Sequence, residues 1–131
     1  NLKNFLYLCG MKYTTLIKKV QRGLSPDLLK GRWKVQTHPL EGHCYIATEA
    51  LFHILPDKEN WKPMVASYND EGGKATHWWL VNRTTGKILD PTREQYGDKI
   101  PPYHLGKGTG FLTKLPSKRA QIIISNIGEY V

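Results

Sequence analysis

The segment "EGHCYIATEALFHIL", Glu41 to Leu55, decides how the rest of the chain must pack. Its apolar residues Tyr45, Ile46, Ala47, Ala50, Leu51, Phe52, Ile54 and Leu55 fall round most of a helical circumference, so a helix here is buried on nearly every side. Glu49 and His53, four residues apart, stack into a narrow polar stripe with Thr48 beside it, and read as the solvent edge of that helix. Gly42 reads as the helix start, which leaves Cys44 in the first turn. Free backbone N–H groups and the positive end of the helix dipole stabilise a thiolate there, and a cysteine pKa falls well below its free value of about 8.5. The bland alternative is a small buried hydrophobe.

Upstream, Thr14 to Arg22 carries Leu16, Ile17 and Val20 at helical spacing, with Lys18, Lys19 and Arg22 on the other side. Gly23 stops this helix. Ser25, Pro26 and Asp27 then form an N-cap with proline at the first helical position, opening a second short helix through Leu28 and Leu29. Downstream of Pro56 the period changes. Lys62 to Tyr68, Thr76 to Asn82 and Lys87 to Asp90 read as strands, joined by the hairpin-like connectors "NDEGGK" and "RTTG". If Asn82 pairs with Lys87, facing positions sum to 169 and Trp79 lies opposite Asp90. His77 is then two residues along the same face, a diagonal of roughly 7–8 Å that a histidine and a carboxylate can bridge. Trp78 and Trp79 point to opposite faces, so at least one is core. The stretch Pro101 to Pro116 is rich in Gly and Pro and irregular. Ser117 caps a last helix, although "IIIS" within it also suits a strand. Helices followed by a small antiparallel sheet make an α+β fold.

The 131 residues form one domain, expected over 11–131, with residues 1–10 an extension ahead of Met11, which reads as an alternative translation start. No apolar run reaches the ~20 residues of a membrane span, and the apolar start "NLKNFLYLCG" lacks a small-residue cleavage site. Two cysteines, Cys9 and Cys44, in unlike settings point to a reduced, intracellular protein rather than a disulfide framework. A formal net charge of +8 favours anionic partners or simple solubility. The basic groups "IKKVQR", "KGRWK" and "PSKRA" are scattered, a diffuse footprint for nucleic acid.

Thiol catalysis needs a base, and a third group that holds the base in one tautomer. His77, opening its strand, and Asp90, closing the next, are the residues placed for this, although "DPT" is also ordinary turn chemistry. A cysteine at the start of a buried helix, then a strand histidine, then an aspartate, in that order, resembles the papain-like cysteine peptidase superfamily with its NlpC/P60 and transglutaminase-like branches. More narrowly, "GHCYIATEALFHIL", "THWWLVN" and "GKILDPTREQY" look like the small YunG-like proteins of bacteria and phages; the similarity covers roughly Ser25 to Tyr96. The resemblance implies a papain-like α+β fold, N-terminal helices and a buried catalytic helix packed on a small antiparallel sheet. It makes Cys44 the nucleophile, His77 the base and Asp90 the orienting acid.

Papain-like enzymes often place a glutamine upstream of the cysteine as an oxyanion donor, and Gln36 is the candidate. Gln95 and Tyr96 line the site or cap the turn after Asp90, His43 shapes it, and Trp78 is the substrate-side aromatic. The expected activity is cysteine-dependent hydrolysis of an amide, isopeptide or thioester bond in a peptide or protein substrate. The expected setting is the cytoplasm of a bacterium or of a phage's bacterial host. Zinc on His43, Cys44, His77 and Asp90 is the first rival, but adjacent His43 and Cys44 point about 100° apart on a helix and no HxxxH or CxxC pair supports them. No metal and no cofactor is expected. The second rival is a catalytically silent basic module in which Trp33, Trp61, Trp78 and Trp79 help form a groove for nucleic acid or an acidic protein.

Overall fold

The computed structural model describes residues 13–25, 28, 43–111 and 114–128. Residues 1–10, with Cys9, and the segment holding Trp33, Gln36 and His38 lie outside the described residues, as does most of the second short helix. Three α-helices, α1 (Tyr13–Arg22), α2 (Cys44–Ile54) and α3 (Lys118–Gly128), and four strands are described. The strands are β1 (Trp61–Asp70), β2 (Gly73–Asn82), β3 (Ile88–Leu89) and β4 (Lys107–Gly108), arranged antiparallel in the order β3-β2-β1-β4. The fold is α+β.

β1 and β2 pair along their whole length, from Trp61 opposite Asn82 to Asp70 opposite Gly73. The tight turn between them is held by Gly72 N–H donating to Asp70 Oδ1 at 2.8 Å, and Gly73 takes a φ of 112° that a side chain would resist. The next turn is built by Asn82, whose Oδ1 accepts from the N–H groups of Thr84 and Thr85 at 3.0 Å each. Its closing bond runs from Asn82 N–H to the Lys87 carbonyl at 2.8 Å, which puts Leu80 opposite Leu89 and Val81 opposite Ile88. This is the register in which facing positions sum to 169.

Alternation then sorts the sheet into two faces. Trp61, Trp78, Leu80 and Leu89 share the face that meets the helices, and Trp61, Leu80 and Leu89 join Ile46, Ala47, Ala50, Leu51 and Val20 in one core. α3 adds Ala120, Ile123 and Ile127 at helical spacing, and Ile122 beside them is half exposed, so "IIIS" is helical. Ala66, Ala75, His77 and Trp79 occupy the other face and are all buried. Their cover is the chain from Pro91 to Gly106, which crosses the sheet with two 3₁₀ turns, Arg93–Tyr96 and Tyr103–Leu105, before β4 ties it to β1. The crossing is tight. A Cβ on Gly106 would stand 2.5 Å from Trp79 Cζ2.

One sequence expectation is overturned here. Glu49 is not on a solvent edge: it is fully buried and accepts from the backbone N–H of Ser117 at 2.9 Å and from its hydroxyl at 2.6 Å. Those are orphan donors at the start of α3, so the carboxylate of one helix caps another. His53 is only half-buried, its ring packed near Phe52 and Phe111, and burial pulls its pKa below the ordinary value.

Candidate active site

His77 occupies an inward position of β2 and is completely buried. β3 ends at Leu89, and the chain turns at once, Arg93 N–H donating to the Asp90 carbonyl at 3.3 Å. The turn aims the Asp90 carboxylate back along the sheet, where Oδ2 meets His77 Nε2 at 2.6 Å. The Thr92 N–H donates to Oδ1 at 3.2 Å and the Tyr103 hydroxyl to Oδ2 at 2.8 Å. With Nε2–H donating to the carboxylate, Nδ1 is the unprotonated nitrogen of the neutral ring. It is buried and has no hydrogen-bond partner among the described residues. Trp79 stacks on the imidazole at 5.6 Å between centroids, and Tyr96 meets it edge-on at 4.8 Å.

Cys44 is the first residue of α2, with His43 as its N-cap. β3 pairs with β2 only at Leu80 and Val81, so the edge of β2 before Leu80 is open on that side. The start of α2 fills this gap. The Cys44 thiol donates to the Thr76 carbonyl at 3.4 Å, and one helical turn on, the Thr48 hydroxyl donates to the Trp78 carbonyl at 3.1 Å. The sulfur therefore lies against the strand backbone that flanks His77.

The thiol does not have the depressed pKa that its helix position led us to expect. Burial pushes it up to about 11, and the Asp90 carboxylate adds to the rise. The backbone N–H groups of Trp78, Tyr45 and Cys44 pull the other way without offsetting the loss of water. Cys44 is a free, neutral thiol at rest, and its hydrogen bond goes to Thr76 rather than to His77.

The other sequence candidates fall in different places. Gln36 lies outside the described residues. His43 is completely buried, its Nε2 2.9 Å from the Ser25 carbonyl, and fastens the start of α2 to the chain after α1. The Trp78 side chain is on the face away from His77, edge-on to Tyr45 at 4.7 Å and stacked near Phe111 at 6.0 Å; only its backbone reaches Cys44. Alternation along β2 turns its ring from the histidine's face and leaves it half-buried. Gln95 donates to Thr92 Oγ1 at 3.0 Å and steadies the turn that holds Asp90. The Tyr96 hydroxyl is 2.9 Å from that of Tyr68, and burial, Tyr68, Cys44 and Asp90 together raise its pKa. Thr76, Thr92 and Tyr103 take part without having been singled out from the sequence. For Tyr103 no local signal exists, since it arrives from a Gly- and Pro-rich stretch thirteen residues past Asp90.

A groove of about 390 Å³, lined by Ser67, Tyr68, Asn69, Lys74, Ala75 and Thr76, opens at the end of the hairpin beside the Cys44 contact. Among the described residues no three His, Cys, Asp or Glu side chains gather as metal ligands, and no helix is long and apolar enough to cross a membrane. No family model matches the sequence, and neither a curated protein nor a solved structure matches it.

Proposed function

We propose that the protein is a cysteine-dependent hydrolase of papain-like design, acting on an amide, isopeptide or thioester carbonyl. The observation that carries this reading is the buried His77–Asp90 pair, whose unpartnered Nδ1 sits on the strand to which the Cys44 thiol is bound. In the proposed reaction Nδ1 takes the thiol proton as the sulfur attacks the carbonyl carbon. Asp90 stabilises the imidazolium that results. The backbone N–H of Cys44, at the first position of the helix, donates to the oxyanion. Imidazolium then protonates the leaving amine or thiolate, and water, giving its proton to the same nitrogen, releases the acid. The groove beside Thr76 is the approach route for a peptide or protein chain. A reducing compartment such as a bacterial cytoplasm keeps the thiol available.

The raised thiol pKa supports proton transfer during attack rather than a standing thiolate. It also favours a second reading, a silent fold whose net charge of +8 serves an acidic protein or nucleic acid. Acylation separates the two. The protein with Cys9→Ser is incubated with an activated acyl thioester, and the intact mass is followed. The hydrolase acquires one acyl group on Cys44 and loses it with time, while His77→Ala acquires none. Equal acylation of wild type and His77→Ala, or none in either, overturns the hydrolase.

A further inference from the structure

At the β3 edge of the sheet a cavity of about 580 Å³ lies beneath α1. Its apolar walls are Tyr13, Leu16 and Ile17 of the helix, Pro56, and Ile88 and Leu89 of β3. The space exists because α1 is fastened at both ends. Tyr13 donates through its hydroxyl to Asp57 Oδ2 at 2.8 Å, and Gln21 Nε2 donates to the Pro91 carbonyl at 2.9 Å. Between these two points the helix spans the free edge of β3, the last strand of the sheet. The volume is within the ~300–1,000 Å³ usual for small-molecule sites.

The rim is cationic. Lys87 stands over the Tyr13 ring, its Nζ 5.5 Å from the centroid, and Arg93 uses Nη1 on the Gly97 carbonyl at 3.1 Å while its other N–H groups remain for a ligand. Asp90 is the one acidic residue in the lining, and its carboxylate is turned away toward His77, Thr92 and Tyr103. An apolar floor below two cations suits one kind of molecule.

We infer that this cavity binds a small amphipathic monoanion, a carboxylate on a hydrocarbon body. The carboxylate pairs with Lys87 and Arg93 and the body lies against Leu16, Ile17, Pro56 and Leu89. Neither Cys44 nor His77 lines the cavity, so the ligand is bound apart from the reacting sulfur. It touches the backbone that carries Asp90.

The test uses decanoate, with decanol and decyltrimethylammonium as comparators, titrated into the full chain and followed by amide chemical shifts. Decanoate should give saturable shifts confined to residues 13–17 and 87–93, with decanol at least tenfold weaker and the cation weaker still. Lys87→Gln combined with Arg93→Gln should weaken decanoate about tenfold and leave decanol unchanged. Thr14→Trp, at the exposed rim, should block both, and the same spectra show whether each variant is folded. Shifts scattered over the surface, equal affinity for all three compounds, or indifference to the rim variants overturns the site. Cys44→Ala should bind decanoate as wild type does, which makes this outcome independent of the hydrolase.

Discussion

His77 and Tyr103 share one oxygen of Asp90, with Nε2 at 2.6 Å and the phenol at 2.8 Å from Oδ2. The imidazole is thereby held through a carboxylate that is itself held, on one side by the Thr92 N–H and on the other by a residue of the crossing chain. Tyr103 is a positioning residue for the proposed reaction, touching the acid and not the reacting atoms.

Tyr103→Phe removes one hydroxyl and keeps the ring against Trp79. Its expected cost to folding is about 1 kcal/mol, the usual net worth of such a bond. Cys44 acylation should slow more than that loss of stability accounts for, and its pH profile should shift, because Asp90, with one donor fewer, orients the imidazole less firmly. Denaturation by urea and the acylation rate across pH check the two parts separately. An unchanged profile would leave Tyr103 a purely structural residue.

Alkaline pH should weaken the fold through Cys44. The buried thiol titrates near 11, above the ordinary value of 9.0, so the unfolded chain gives up its proton first. Stability from this group is complete below about pH 9 and is lost as pH rises toward 11, a span worth about 2–3 kcal/mol. In a Cys9→Ser background, urea midpoints measured from pH 8 to 11 should fall more steeply for Cys44 than for Cys44→Ala. Alkylation of the folded protein should climb only as pH approaches 11, and that of the unfolded protein near 9.

Glu49→Ala should destabilise by about 1–3 kcal/mol, because it strands the Ser117 N–H and hydroxyl at the half-buried start of α3. Glu94→Ala, at an exposed carboxylate, serves as the control and should change the urea midpoint little. Combining Glu49→Ala with Ser117→Ala should cost less than the two single changes summed, since one contact is counted in both.

Several elements were legible in the residues themselves. The helical spacing of Leu16, Ile17 and Val20 gives α1, the apolar circumference after Cys44 gives α2, and "RTTG" marks the turn between β2 and β3, whose assumed Asn82–Lys87 pairing is the one observed. These are local signals, since period and turn chemistry act over a few residues. The reading of Glu49 failed for the complementary reason. A carboxylate on a helix looks wet until a distant helix start arrives to take it, and Ser117 is 68 residues away.

Residue pattern alone specified an α+β chain with a buried helix and a hairpin sheet, because side-chain period and turn chemistry are properties of neighbouring residues; that the histidine and aspartate share a face depended on a register the sequence left conditional. The state of the thiol was set by packing. Helix position argues for a thiolate, but burial of Cys44 against the β2 edge removes the water that would stabilise it, and desolvation outweighs the helix end. The same packing brought Tyr103 onto Asp90 and opened the cavity beneath α1, contacts between segments that no stretch of sequence holds together.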